Sequence, residues 1–177
     1  MEIVRIPAER VSTIIGKEGK TKEEIEKKAR VKLDVSREGE VTITGDMTDV
    51  FFAKDIVKAI GRGFDPKDAL KLLKEGYCFY LIDLKNELDT ENAIKRIKGR
   101  IIGEDGKVKS EIEDATDSYI SVFGNTVGII SKADGVEYAK EAIFKIIDGA
   151  PHTTVFNYLA KIRKQMMTDR LRGATSK

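Results

Sequence analysis

The sequence predicts an α+β fold made of two copies of one β-α-α-β-β-α unit. A thirteen-residue segment occurs twice in the chain: residues 14–26 and 101–113 are identical at nine positions and lie 87 residues apart. The same succession of patterns surrounds both copies, with alternating apolar residues that predict strands and apolar residues at helical spacing that predict helices. A chain of 177 residues is long enough for two small domains of this kind.

The first unit is predicted at residues 1–64. Pro7 favours a helix start, because the first turn does not need its missing N–H group, and the glycines at 61 and 63 favour a helix end. The predicted elements, in chain order, are a strand at 2–6, a short helix up to Gly16, a helix that buries Ile25 and Ala29, strands at 31–35 and 41–43, and a helix over 50–60.

A predicted linker helix at residues 65–76 connects the two units. Asp65 has the side chain of a helix N-cap, and Pro66 suits the first helical position. Leucines follow at helical spacing until Gly76. We therefore expect a short connecting helix and not an extended linker.

The second unit is predicted at residues 77–149, followed by a C-terminal helix and basic tail at 150–177. A continuous apolar run at 77–84 predicts a strand that is buried on both faces, with Cys78 as a small core residue. Beyond Arg172 we expect disorder. The remaining predicted elements, in chain order, are a helix with Ile94, Ile97 and Ile101, a helix after Gly106, strands around 120–122 and 127–129, a helix over 136–146, and a last helix from Pro151.

Charge is distributed unevenly along the chain, although the net charge is only +2. Residues 77–149 carry 10 basic and 14 acidic side chains, a net charge of −4, whereas residues 150–177 carry 6 basic and 1 acidic, a net charge of +5. Because affinity for phosphates grows with the number of cations in contact, recognition must depend on local loops and on the tail. One cysteine and no long apolar run predict a cytoplasmic protein without disulfide or membrane span.

Both copies of the repeated segment place a Gly-x-x-Gly loop between the end of one helix and the start of the next. Glycine lets a sugar-phosphate backbone approach closely, and the free N–H groups of the following helix point toward the phosphates. A KH module clamps about four nucleotides of a single strand in this way. We predict an isoleucine floor for the bases and an opposite wall at 31–35 or 119–123. The predicted RNA-binding residues are Ile14, Ile15, Gly16, Lys17, Glu18, Gly19, Lys20, Lys22, Arg100, Ile101, Ile102, Gly103, Glu104, Asp105, Gly106, Lys107 and Lys109.

Either loop, taken alone, is also compatible with a simple turn between two helices; two loops in equivalent places favour the functional interpretation. The second loop contains Glu104 and Asp105, where basic or neutral residues are usual. Two solvated carboxylates would repel a phosphate by up to about 1 kcal/mol, and Arg100, Lys107 and Lys109 could offset this repulsion. Charge alone does not rank the two loops.

Several segments resemble one family, and together they span nearly the whole chain. They are the paired Gly-x-x-Gly-Lys-x-Lys-x-x-Ile-Glu segments, residues 59–66, residues 98–103, and the run Gly149-Ala150-Pro151-His152 with Val155, Phe156 and Leu159. The chain resembles the archaeal form of the KH-domain rRNA-processing factor known in eukaryotes as Dim/Pno. Lys22 and Lys109 stand where generic KH modules have an apolar residue, which matches the family variant.

The resemblance implies two packed type I KH domains that bind single-stranded rRNA near the 3′ end of small-subunit (16S) rRNA during ribosome biogenesis. It also implies contacts with the PIN-domain endonuclease of small-subunit maturation and with the alpha subunit of translation initiation factor 2. In eukaryotic relatives the second module is the better preserved and has a basic loop, from which this chain departs at Glu104 and Asp105. We expect a monomer.

No constellation in the sequence favours catalysis, and we expect no cofactor and no bound metal. His152 is the only histidine, so a metal site or a nucleophile–base pair is not indicated. Two other functions stay open: a protein-interaction adaptor that links the nuclease or initiation factor 2 alpha to the small subunit, and a magnesium-dependent nuclease. Helix-surface pairing with lysine is the common explanation for the glutamates that follow the loops, namely Glu23, Glu24, Glu26, Glu111 and Glu113.

Overall fold

The computed structural model describes residues 1–175. Contacts between residues divide the chain into two compact units, Met1–Phe79 and Tyr80–Lys177. Each unit is built on a three-stranded sheet whose central strand is the third of the three in chain order. Within residues 1–175, no helix is both long and apolar enough to cross a membrane.

The first unit has the predicted order of elements. A 3₁₀ turn, Ala8–Arg10, precedes the first α-helix. The elements are β1 (Glu2–Arg5), α1 (Val11–Ile15), α2 (Lys20–Ala29), β2 (Lys32–Val35), β3 (Glu40–Thr44) and α3 (Met47–Gly61). The sheet is antiparallel, with Val4 opposite Val41 and Leu33 opposite Ile43. Because these alternate residues lie on one face, they are buried together with the apolar residues of the three helices.

The segment after α3 stays close to the first unit. Helix α4 (Pro66–Ala69) begins at Asp65, whose Oδ1 accepts the N–H of Lys67 at 2.8 Å, and a 3₁₀ turn at Leu70–Leu73 follows it. The predicted N-cap is therefore confirmed. Leu70 and Leu72 are buried, which ties this segment to its surroundings by apolar packing.

The second unit repeats the order, with one short helix that the sequence pattern did not reveal. The elements are β4 (Tyr77–Asp83), α5 (Leu84–Glu87), α6 (Glu91–Ile102), α7 (Lys107–Thr116), β5 (Tyr119–Phe123), β6 (Thr126–Lys132), α8 (Ala133–Ile147) and α9 (His152–Thr175). Helix α5 begins at Asp83, which caps it by accepting the N–H of Lys85. Helix α9 contributes Val155 and Leu159 to the core of this unit and packs along α7 and α8.

Two predictions for the second unit are wrong. Only Ile82 is buried within β4 and Cys78 is exposed, because an apolar run does not reveal which side chains of a strand meet the core. Helix α9 continues to Thr175, so the disorder expected beyond Arg172 does not apply to residues 173–175. Residues 176 and 177, to which the same expectation applied, lie outside the described residues.

Candidate nucleic-acid interface

The two Gly-x-x-Gly loops have the same backbone conformation. Gly16 has φ 71° and ψ 179°, and Gly103 has φ 74° and ψ 175°. One 3₁₀ turn follows in each loop, and its middle residue, Glu18 or Asp105, adopts a left-handed conformation with φ of 55° or 53°. The sequence repeat is thus a geometric repeat, and both loops present the same surface of backbone atoms.

The first and second glycines of each loop meet different surroundings. A Cβ atom on Gly16 would lie 2.1 Å from Oγ1 of Thr21, and one on Gly103 would lie 2.4 Å from Cγ2 of Val108. A Cβ atom on Gly19 or Gly106 would have nothing within 4 Å. The first glycine is therefore required by packing inside the protein, whereas the second leaves an open surface that a ligand can approach.

Each loop runs directly into the N-terminus of a ten-residue helix. Helix α2 starts after Gly19 and α7 after Gly106, and no side-chain cap is present at either start, although the N–H of Lys20 and that of Lys107 donate to the carbonyls of Lys17 and Glu104. The first N–H groups of each helix carry the positive end of the helix dipole. Together with the open second glycine, they form a surface that can hold an anionic group such as a phosphate.

The isoleucines before the loops divide into core residues and surface residues. Ile14 and Ile101 have no exposed surface and belong to the cores, so their predicted place in the floor of the groove is wrong. Ile15 and Ile102 are half-buried and remain available to an apolar contact. Helical geometry explains the split, because adjacent residues on a helix point about 100° apart.

The cations around the first loop remain close to it. Lys17 is exposed, Lys22 is half-buried, and Nζ of Lys20 lies 3.1 Å from the carboxylate of Glu18. Neither Lys17 nor Lys22 has an ion-pair partner among residues 1–175. The first loop therefore offers two uncompensated positive charges.

The cations predicted for the second loop are largely engaged elsewhere. Arg100 donates from Nη1 to the carbonyl of Ile146 at 3.1 Å and from Nη2 to the carbonyl of Ala150, so these two bonds fix its guanidinium, and its role as a phosphate ligand stays a prediction. Nζ of Lys109 lies 3.3 Å from Oε1 of Glu113. Lys107 is exposed and forms no ion pair within the described part of the chain.

A glutamate at the end of each repeated segment fixes the opposite wall of the groove. Oε1 of Glu26 accepts the N–H of Leu33 at 2.7 Å, and Oε1 of Glu113 accepts the N–H of Ile120 at 2.8 Å. These bonds hold α2 against β2 and α7 against β5. The sequence signal for this role is the Ile-Glu pair that ends both copies of the repeated segment. The predicted pairing with lysine is confirmed for Glu113, which lies 3.3 Å from Nζ of Lys109, whereas Glu26 forms no ion pair within residues 1–175.

The only histidine has a structural position. Nε2 of His152 lies 3.0 Å from the backbone carbonyl oxygen of Arg100, at the start of α9. Within the described residues, no three His, Cys, Asp or Glu side chains form a group that could hold a metal ion.

Comparison with known proteins places both units in one domain family. A KH-domain profile matches residues 1–59, and a profile for the second domain of PNO1, described as a eukaryotic type KH domain (KH-domain type I), matches residues 78–164. A KH domain-containing protein of Methanocaldococcus jannaschii is 42% identical over 171 residues, which cover 94% of this chain and 75% of that protein. The pre-rRNA-processing protein PNO1 of Chaetomium thermophilum is 33% identical over 143 residues, covering 79% and 53%.

A solved structure has the same fold over nearly the whole chain. It is the a/eIF2alpha-aDim2p-rRNA complex from Pyrococcus horikoshii, with a TM-score of 0.86, 42% identity and coverage of 93% of this chain and 94% of that chain. Two β-α-α-β-β-α units with paired Gly-x-x-Gly loops define a tandem KH-domain protein, which confirms the predicted fold class. Within that class, the chain belongs to the KH-domain family that includes PNO1 and archaeal Dim2. It spans about half the length of the fungal PNO1 proteins it matches.

Proposed function

We propose that this protein is a non-catalytic RNA-binding factor that holds single-stranded rRNA near the 3′ end of the small-subunit rRNA during ribosome biogenesis. The Gly-x-x-Gly loops contact the sugar-phosphate backbone. The half-buried Ile15 and Ile102 contact the bases. Both modules position the strand, and the strand stays intact.

One observation carries the proposal: two loops of closely similar backbone conformation each present an open glycine next to a helix N-terminus that has no side-chain cap. A simple turn between helices accounts for the left-handed conformation of the second glycine, but it does not need the open space beside that glycine. A ligand backbone does need it, because a side chain at Gly19 or Gly106 would project into the space that the ligand must enter.

The relatives support the choice of ligand and partner. PNO1 is named a pre-rRNA-processing protein, and the P. horikoshii Dim2 structure is a complex with rRNA and a/eIF2alpha. We extend both properties to this chain. Contact with the PIN-domain endonuclease rests on the sequence resemblance.

The test is fluorescence anisotropy with a labelled RNA of about twelve nucleotides from the 3′ end of small-subunit rRNA. A scrambled RNA and the DNA of the same sequence are the competitors, and salt is varied. We expect selective binding that weakens in the double variant Lys17→Glu/Lys20→Glu. The matched control is Lys67→Glu/Lys74→Glu, which makes the same charge change at exposed residues outside both loops. Equal binding of all three nucleic acids would refute the proposal, and cleavage of the RNA in magnesium would refute its non-catalytic part.

A second candidate function is a protein adaptor between the small subunit and initiation factor 2 alpha or the nuclease. The observation in its favour is the second loop, where the side chains of Glu104 and Asp105 are exposed and form no ion pair among residues 1–175. A pull-down of each partner after Gly19→Asp and Gly106→Asp separates the two functions. If these variants no longer bind RNA but still capture the protein partners, the protein acts as an adaptor through surfaces outside the two loops.

A further inference from the structure

The two loops share one backbone conformation but present opposite charges at matched positions. Lys17 in the first loop corresponds to Glu104 in the second, 87 residues later, and Glu18 corresponds to Asp105. The φ values of Glu18 and Asp105 differ by only 2°, from 55° to 53°. Because the backbone is the same, any difference between the loops in phosphate binding comes from these side chains and from the cations near them.

In the first loop, the only carboxylate is neutralised within the loop. Glu18 pairs with Lys20 at 3.1 Å, and the side chains of both residues are mostly exposed. Lys17 and Lys22 have no ion-pair partner within the described residues and can face a phosphate. Lys107, the counterpart of Lys20, makes no such bond to Asp105.

In the second loop, two of the three cations expected to compensate Glu104 and Asp105 are bound to other groups. The guanidinium of Arg100 is bound to two backbone carbonyls at the end of α8, and Lys109 pairs with Glu113 at 3.3 Å. Lys107 alone remains opposite Glu104 and Asp105. Outside the ion pairs, the first loop therefore has the two cations Lys17 and Lys22, whereas the second has two carboxylates, the exposed Lys107 and an Arg100 whose charge is held in place by its carbonyl bonds.

We infer that the two KH modules are unequal: the first loop is the electrostatic phosphate clamp, and Glu104 and Asp105 weaken the phosphate contact of the second loop. This inference rests on the proposed function, because it assumes that the loops meet an RNA backbone. The second module then contributes through apolar contacts and base recognition, which depend little on salt. Because of Glu104 and Asp105, the salt dependence of RNA affinity arises mainly from the first module.

The test is a reciprocal charge exchange at one matched position, using the variants Lys17→Glu, Glu104→Lys and Lys17→Glu/Glu104→Lys. The double variant keeps the net charge of the protein, so it controls for non-specific attraction. The measurement is the anisotropy titration with the twelve-nucleotide RNA over a range of salt concentrations. Both side chains are exposed, and circular dichroism checks that each variant is folded.

We expect Lys17→Glu to weaken binding about tenfold and Glu104→Lys to strengthen it about tenfold, with the double variant near wild type. The slope of log affinity against log salt should become shallower by about 1 in the first variant and steeper by about 1 in the second. If Glu104→Lys bound RNA no more tightly than the wild-type protein, the inference that the two modules are unequal would be refuted. The proposed RNA-binding function would not be affected by that result. Absence of selective binding by the wild-type protein would overturn the proposed function itself.

Discussion

The two glycines of the first loop should respond differently to the same substitution by alanine. Gly16 has a φ of 71° with a ψ near 180°, a combination that only glycine adopts easily, and a Cβ there would lie 2.1 Å from Oγ1 and 2.6 Å from Cβ of Thr21. Gly19 has φ 78° and ψ 3°, in the left-handed helical region, and a Cβ there would have nothing within 4 Å. We compare Gly16→Ala with Gly19→Ala.

The two conformations predict different losses of stability. A non-glycine residue in the left-handed helical region costs about 1–2 kcal/mol, which is the whole expected effect of Gly19→Ala. Gly16→Ala adds backbone strain of about 1–3 kcal/mol to an overpacking cost of about 1–3 kcal/mol, because Thr21 must move and its backbone nitrogen also lies 3.0 Å from the new atom. We expect a loss of about 2–6 kcal/mol for Gly16→Ala, a large part of the stability of a small domain.

The assay is hydrogen–deuterium exchange with mass spectrometry on the full chain. Peptides from α2 report the first loop, and peptides from α7 serve as the internal reference. Gly16→Ala should remove protection from α2, whereas Gly19→Ala should leave most of it and still weaken RNA binding. Equal loss of protection in both variants would refute the packing argument. RNA binding by Gly19→Ala at wild-type strength would refute the argument that this glycine faces the ligand.

Three further substitutions test parts of the fold. Arg100→Ala should lower the free energy of unfolding by about 1–3 kcal/mol, measured by urea denaturation, because it removes the donor to the carbonyl of Ala150 and one donor to the carbonyl of Ile146, which also accepts the N–H of Gly149. Burial raises the pKa of Asp55 against the opposing effect of nearby lysines, so the folded state binds this proton more tightly and stability falls as pH rises through that pKa. Asp55→Asn should therefore stabilise the protein by a few tenths of a kcal/mol at pH 7, after allowance for solvent screening, and a gain that persists below pH 3 would contradict this cause. Tyr158→Phe removes a hydroxyl that donates to Glu141 at 2.8 Å, and thermal unfolding should show a loss of about 1 kcal/mol.

The loops and the order of elements were predictable because local sequence determines them. Glycine at a fixed spacing specifies the positive φ values of the loops, and apolar periodicity specifies which face of each helix is buried. The predictions that were wrong or incomplete concern features that depend on contacts between distant parts of the chain. The apolar run of β4 could not reveal that Cys78 is exposed, because exposure depends on where other elements pack. The roles of Glu26 and Glu113 depend on backbone N–H groups in the strands that they face.

Arg10 and Arg100 make equivalent hydrogen bonds in the two units, although they are not equivalent residues of the sequence repeat. Arg10 donates to the carbonyls of Ile60 and Phe64, and Arg100 donates to those of Ile146 and Ala150. The two acceptor residues of the first unit lie 86 residues before their counterparts in the second unit. The two arginines lie 90 residues apart, so they do not occupy equivalent positions in a repeat whose copies are 87 residues apart.

The closing helix of each unit ends with carbonyl groups that need donors from outside the helix, and each arginine also binds a carbonyl just beyond the helix, at Phe64 or Ala150. Any arginine in the preceding helical segment with the right reach can satisfy this requirement. The two units meet the same requirement from different sequence positions. The position of Arg100 next to the second loop predicts a loop cation, and the carbonyls that it faces add a role in stabilising the fold.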